Sequence, residues 1–534
     1  MERFTALGLS NVDMANTRGR LQMKKWFGLS IGCTFAAAFV CVTPASGQAI
    51  GNWASPRNTM EHSGWQKAET IMTKENASGK FKSLWKLKLG NAPEKDSAAY
   101  SEPLLVPRLI NSKGFKDFVL WADGENLYGV DSELGTILWT KHYDAPPSSC
   151  GLSNMSIVAE APIVINFRAR RAAGAPPPKP QPPKQASERR VGAAAGGGGF
   201  GFKGIFALSS DGYLHEQVVS TGGDFSEKPV KFLPGPTAAS GLGLNGTTLY
   251  TATHAGCGSS ENAVLALDMS SPDYPVASYK TGSVAPLVAM GPTISDNVAY
   301  VVTGSGASSG DVHANSIVAL GPDAKVKDWY DGAGSLQNVT PVAFTQSEKK
   351  LLVAPGKDGS YVLLDTTSLG GPDHKTPLAA TPSISQAKEG TIAALAAWED
   401  GGATWIASSV PGALSASAKF ANSNGDASHG SIVALKLEES GGKMSLVPAW
   451  SSRDMINPAP PVIANGLVIA LSQGDASNHA ILYVLDATTG KELYSSGDAV
   501  NTYAHNAGVS VGDGHAFFVT HDNTLYSFGI GMEH

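Results

Sequence analysis

Only 16% of the 534 residues are charged, and the formal balance is −6 at pH 7. The chain therefore carries no basic surface of the kind nucleic acid selects. Cysteine is scarce, at four residues, and no C-x-x-C-H occurs, which excludes covalently attached c-type haem. The Gly-x-Ser-x-Gly matches, Gly306 to Gly310 and Gly508 to Gly512, have no helix signalled after them to make a nucleophile elbow, and no pair of catalytic carboxylates is apparent, so the common hydrolase readings fall away. The run "GGGGFGFKG" lacks the Lys-Ser/Thr and the following helix that a phosphate loop requires. No amphipathic stretch of convincing helical length interrupts the rest.

What is plentiful is glycine, with 60 residues, a composition suited to a turn-rich all-β protein. The one long apolar run lies at the front. Met23-Lys24-Lys25 precedes "WFGLSIGCTFAAAFVCV", and Ala45-Ser46-Gly47 follows as a small-x-small site. This is the pattern of a secretion signal cut near Gly47, with Met23 as a candidate start. A transmembrane anchor needs about 20 apolar residues and a basic flank, so no span is expected after cleavage, and a periplasmic or secreted location is. Residues 1–47 are thus read as extension and signal, 48–80 as a lead-in, and 81–534 as the folded unit. Cys33 and Cys41 leave with the signal. Cys150 and Cys257 remain, and in an oxidising compartment they either pair or sit buried as free thiols.

Self-similarity organises the folded unit. One phrase recurs eight times: "ENLYGVD" at Glu125, "GIFALSS" at Gly204, "ENAVLALD" at Glu261, "NSIVALG" at Asn315, "GSYVLLD" at Gly359, "GSIVALK" at Gly430, "AILYVLD" at Ala480 and "NTLYSFG" at Asn523. Each is a buried strand entering a hairpin. Upstream of each copy lies apolar sequence that splits into two strands around a Gly, Asn or Asp turn, and downstream a more polar strand such as "TILWTKH". Four-stranded units in eight copies predict an eight-bladed β-propeller, with the repeated phrase as the third strand of each blade.

A propeller is stable only if its first and last blades join. The final copy, "NTLYSFGIGMEH", has no outer strand after it, whereas "FKSLWKLKLG", Phe81 to Gly90, alternates like an outer strand with no blade of its own. The N-terminal strand is therefore expected to complete the last blade. Residues 168–204, rich in proline, glycine and alanine, read as a disordered surface insertion in blade 2. The closed ring is expected to surround a water-filled hub able to seat a guest.

With "LYGVDSELGTILWTKHYD" and "LYVLDATTGKELYSS" in view, the chain resembles the pyrroloquinoline quinone (PQQ)-like propellers, the quinoprotein alcohol dehydrogenase-like fold. In that repeat Asp-x-x-x-Gly makes the turn and a tryptophan packs between blades. The likeness runs from Asn52 to the end, and "NWASPRNTMEHSGWQKAE" is similar to the lead-in of secreted bacterial members. It implies one of two roles. The dehydrogenases hold PQQ over the channel beside Ca2+ or a lanthanide, and a carboxylate takes the proton of the alcohol. A cofactor-free member of the class serves as a docking platform in outer-membrane assembly. The adjacent Cys-Cys pair of many such enzymes is missing here, and no Glu, Asn and Asp ligand set aligns. The sequence therefore favours a binding or assembly module, monomeric, taking a protein or small molecule at the channel face. A PQQ-dependent dehydrogenase acting on an alcohol or sugar is the alternative.

The innermost strand opens each blade, so residues at its start can face the axis. Glu102, Asn154, Asn338, Asn457, His505 and Asn506 are the channel-lining candidates, with Glu102 and His505 able to act as acid and base. The turn aspartates Asp131, Asp268, Asp365 and Asp486 are expected to cap turn amides. Trp85, Trp139 and Trp450 are expected to fill gaps between blades with the indole N–H on a neighbouring carbonyl, and Trp53 and Trp65 to pin the lead-in. His313, His429 and His479 stand on equivalent loops of successive units, each expected to find its own local partner rather than share an ion.

Overall fold

In the computed structural model, residues 51–91, 102–144, 156–159, 204–225, 228–237, 239–256, 260–332, 340–356, 358–386 and 394–531 are described. The leader, the 168–203 insertion, Cys150, Cys257, Asn154 and Asn338 lie outside them. No described helix is long and apolar enough to cross a membrane.

Eight sheets form a ring. Their first strands, counted from the axis, are Leu104–Asn111, Ser156–Ala159, Ala239–Asn245, Thr293–Ser295, Val342–Gln346, Leu395–Asp400, Val462–Ala464 and Ser510–Gly512. Each touches the first strand of the next blade, and the eighth touches the first. From the axis outward, the four principal strands of each blade run antiparallel to their neighbours. The strand Phe81–Lys88 pairs antiparallel with Thr524–Ile530 and is the outer strand of blade 8, so the two ends of the propeller meet in one sheet.

The repeated phrase is the third strand in seven blades, for example Asn126–Asp131, Asn262–Asp268 and Ile481–Asp486. Blade 2 corrects the expectation. There Gly204–Leu208 pairs directly with the first strand, and Tyr213–Val218 is third. The reason is visible at the seam: the turn that receives the tryptophan of blade 1 follows Val218, not Leu208. Two blades carry a fifth strand. Asn422–Ser423 adds to the outside of blade 6, and Trp65–Gln66 lies parallel to Val462–Ala464 on the inside of blade 7.

The core lies between blades rather than inside them. One cluster joins Trp398, Ala407, Ile432 and Trp450 of blade 6 to Ile463, Val468 and Tyr483 of blade 7, and another joins Tyr250 and Val264 of blade 3 to Ile294, Val301 and Val318 of blade 4. Strands buried on both faces explain why the phrases read as continuous apolar runs rather than as alternation.

At three seams the closing device is the same. Trp85 Nε1 donates to Ser132 O at 2.8 Å, Trp139 Nε1 to Val219 O at 2.8 Å, and Trp450 Nε1 to Ala487 O at 3.0 Å. In each case the indole lies on a glycine of the receiving turn, Gly135, Gly222 or Gly490, at φ of +60°, +68° and +71°. A Cβ at Gly490 would stand 2.4 Å from Trp450 Cε3, so both the left-handed backbone and the ring demand glycine. The turn aspartates act as expected. Asp131 Oδ1 accepts from Glu133 N and Leu134 N, Asp486 Oδ1 from Thr488 N and Thr489 N, Asp268 Oδ1 from Ser270 N, and Asp365 Oδ1 from Thr367 N.

Candidate functional site

The hub is not an open water channel. The inner edges of the first strands present backbone groups that need partners, and the lead-in supplies them. Trp53 exchanges both backbone hydrogen bonds with Leu105 of blade 1. The carbonyls of Met60, Glu61, Ser63 and Gly64 then accept from Ile294, Ala343, Ala397 and Ile463 at 2.7–3.0 Å, one in each of blades 4 to 7. Gln66 Nε2 donates to Val511 O at 3.1 Å, and Glu69 Oε2 accepts from Gly514 N at 2.9 Å, both in blade 8. From here the chain leaves through the short helix Lys74–Gly79, capped by Thr73, into the closing strand.

The side chains of this plug are as buried as any in the protein. Trp53, Arg57 and Met72 are fully enclosed, and His62 nearly so. Arg57 Nη2 donates to Leu395 O at 3.3 Å and to Pro461 O, and the Arg57 amide donates to Glu102 Oε1 at 3.1 Å. Gly64 is required beside it: a Cβ there would fall 2.2 Å from Arg57 Nη2. His62 Nδ1 meets Thr293 Oγ1 at 3.1 Å, and that hydroxyl donates to Pro341 O at 2.6 Å, so Nδ1 carries the ring hydrogen. Burial, reinforced by the Arg57 charge, pushes the His62 imidazole down to about 3; it is neutral at any physiological pH.

Glu102 lies at the start of the first strand of blade 1 and is buried, accepting from Trp53 Nε1 and Arg57 N. It fastens the plug. Asn457, His505 and Asn506 lie before the first strands of blades 7 and 8, and Gln473, which the sequence reading missed, knits them together. Its N and Nε2 donate to Asn457 O at 3.2 and 3.1 Å, while its O and Oε1 accept from Ala504 N and Ala507 N at 2.8 and 2.9 Å. Asn457 and Asn506 both adopt left-handed backbone, at φ of 50° and 47°. The only sequence signal for Gln473 is its place directly after the second strand of blade 7, where it faces two inter-blade connections.

The loop histidines stay apart. His429 Nδ1 meets Asp454 Oδ2 at 2.6 Å, His479 Nε2 lies 3.4 Å from Asp498 Oδ1, and His313 stacks on Trp329. Among the described residues no group of three or more His, Cys, Asp or Glu side chains is placed to hold a metal ion.

These features define an eight-bladed propeller whose hub is stoppered by its own N-terminal segment. No protein-family model matches the chain, and no curated protein matches it in sequence. Solved structures do match in fold. The quinohemoprotein alcohol dehydrogenase of Comamonas testosteroni is similar over 91% of this chain and 81% of its own, with 12% identity and a TM-score of 0.50. A europium-containing methanol dehydrogenase is similar over 90% of this chain and 98% of its own, with 12% identity and a TM-score of 0.52. The chain is thus a propeller of the quinoprotein alcohol dehydrogenase-like fold, as its repeats indicate.

Proposed function

We propose that this protein is a periplasmic or secreted binding module, whose ligand, a protein or a small molecule, meets the channel face around Asn457, Gln473, His505 and Asn506. The observation that carries this reading is the plug. A flat quinone needs a slot with cationic partners, and the described hub residues do not supply one. Of the three described arginines, Arg57 is enclosed against backbone carbonyls, Arg453 pairs with Glu492 at 2.8 Å, and Arg108 stands on the hairpin end of blade 1. The Glu102 carboxylate is engaged by Trp53 and Arg57. The dehydrogenase alternative rests on fold likeness, and one fold hosts many functions.

The discriminating experiment mixes purified protein with PQQ and Ca2+ or a lanthanide. It follows tryptophan emission and the reduction of an artificial electron acceptor in the presence of alcohols or sugars. The binding-module reading predicts no saturable change in emission and no turnover. Stoichiometric quenching together with alcohol-dependent reduction would replace it by the dehydrogenase.

A further inference from the structure

Arg57 carries a charge into the centre of the hub with none of its surface exposed. Arginine does not deprotonate in proteins, so the charge persists in the folded molecule. Nη2 donates to Leu395 O at 3.3 Å and to Pro461 O. Nε and Nη1 are served by nothing comparable: both are buried, and among the described residues neither has an acceptor within hydrogen-bond reach. The partners of the guanidinium are thus carbonyls, not carboxylates. Glu102 directs Oε1 to the Trp53 indole and to the Arg57 backbone amide instead.

A second group on the same inter-blade edge has the same need. Thr340, just ahead of the first strand of blade 5, pairs in parallel with Ala394, and the next residue, Leu395, is the one whose carbonyl meets Arg57. The Thr340 hydroxyl is buried and has no partner among the described residues. Both groups can donate, so an acceptor would satisfy them. The surroundings add no negative charge from His62. Burial, and then the Arg57 charge, push that imidazole down to about 3, and it stays neutral.

We infer that the hub holds a small monovalent anion, of chloride size, on the Nε or Nη1 hydrogens of Arg57. A buried charge without an ionic partner is among the costliest arrangements in a protein. Carbonyl oxygens offset part of that cost, and water would cap the hydrogens without supplying charge, whereas an anion does both. The enclosure sets the size. Trp53 and Met72 are also fully buried, and a single added carbon on Gly64 would fall 2.2 Å from Arg57 Nη2 and 2.9 Å from Ala396 Cβ. Walls this close select a one-atom ligand over a carboxylate or a phosphate. The anion is a structural part of the plug, and it stands apart from any ligand taken at the channel face.

The test uses the full-length protein. In thermal unfolding at neutral pH and constant ionic strength, with sodium gluconate exchanged stepwise for sodium chloride or bromide, the midpoint should rise by several degrees and then level off. A ligand bound by the folded state alone stabilises in this way, by mass action. Arg57→Met should lose the halide response. Crystals of the wild type grown in bromide should show an anomalous peak within hydrogen-bond distance of Arg57 Nε or Nη1, a readout that holds even where Arg57→Met fails to fold. A midpoint indifferent to halide, a response of equal size in Arg57→Met, or density at Arg57 with no anomalous signal, which is water, each overturns the proposal.

Discussion

Between blades 8 and 1, 1 and 2, and 6 and 7, an indole lies on a glycine. Between blades 4 and 5, Trp329 instead meets histidines on both faces. The glycine seams are short turns that come close because nothing projects from the backbone, and none of the atoms in contact can change charge. The histidine seam needs a longer turn to bring His374 across, and it replaces contact with the bare backbone by stacked imidazole rings. One kind of joint is fixed by close approach to bare backbone, the other by rings stacked on both faces of an indole.

The comparison can be broken most severely at Trp450, which is fully buried. Trp450→Ala should cost about 3–5 kcal/mol in urea unfolding, while Trp329→Ala, half-exposed, should cost well under half of that. Equal losses would show that the two seams bear the same load. Gly490→Ala comes next. With a Cβ 2.4 Å from the Trp450 ring and φ at +71°, about 2–4 kcal/mol should be lost; a variant as stable as wild type would mean that the turn relaxes freely.

The third test is a pH profile at the seam of blades 8 and 1. Burial, together with hydrogen bonding to Asp513 and the charges of Asp513 and Glu133, raises the Asp117 carboxyl to about 6. The protonated form is favoured in the folded state. Its stabilising contribution is therefore full below about pH 4 and lost as pH rises through about 6. Asp117→Asn should unfold with a higher midpoint than wild type above pH 6, by roughly 1–3 kcal/mol, and the gap should close in acid. A variant less stable at pH 8 would refute that sign.

The smallest expected effect is that of His374→Gly. His374 already has φ of 57°, so glycine fits the backbone, and stability at pH 8 should change by less than about 1 kcal/mol.

The ring itself was legible because its signals are local. Hairpin turns such as Asp486 to Gly490 and the orphan alternation of Phe81 to Gly90 each report on a few neighbouring residues. Blade 2 was misread for the same reason: Gly204–Leu208 is uniformly apolar, whereas the true third strand, Tyr213–Val218, carries His215, Glu216 and Gln217. The plug was invisible. "NWASPRNTMEHSGWQ" has no strand or helix period, because its carbonyls pair one by one with separate blades rather than with one partner strand. Trp53 and Trp65 were correctly read as anchors, yet nothing near them indicated that what they anchor fills the hub. Glu102 was singled out at the start of the innermost strand of blade 1, and its carboxylate accepts from Trp53 Nε1 and the Arg57 amide.

The closing strand follows directly on the plug, and this orders the assembly of the molecule. Lys88 meets Asp522 across 434 residues of chain, so a strand made early must wait, unpaired, for the last one. Until then Phe81–Lys88 and the growing blades expose open edges to any passing strand. Closing so long a loop adds little entropy beyond that of a shorter one, but it does add time, and slow non-local pairing is when β-proteins aggregate. Of the eight residues in the waiting strand, Lys82, Lys86 and Lys88 are lysines with exposed side chains. Charge of that kind, spaced along an edge, keeps an unfinished sheet from pairing with its neighbours.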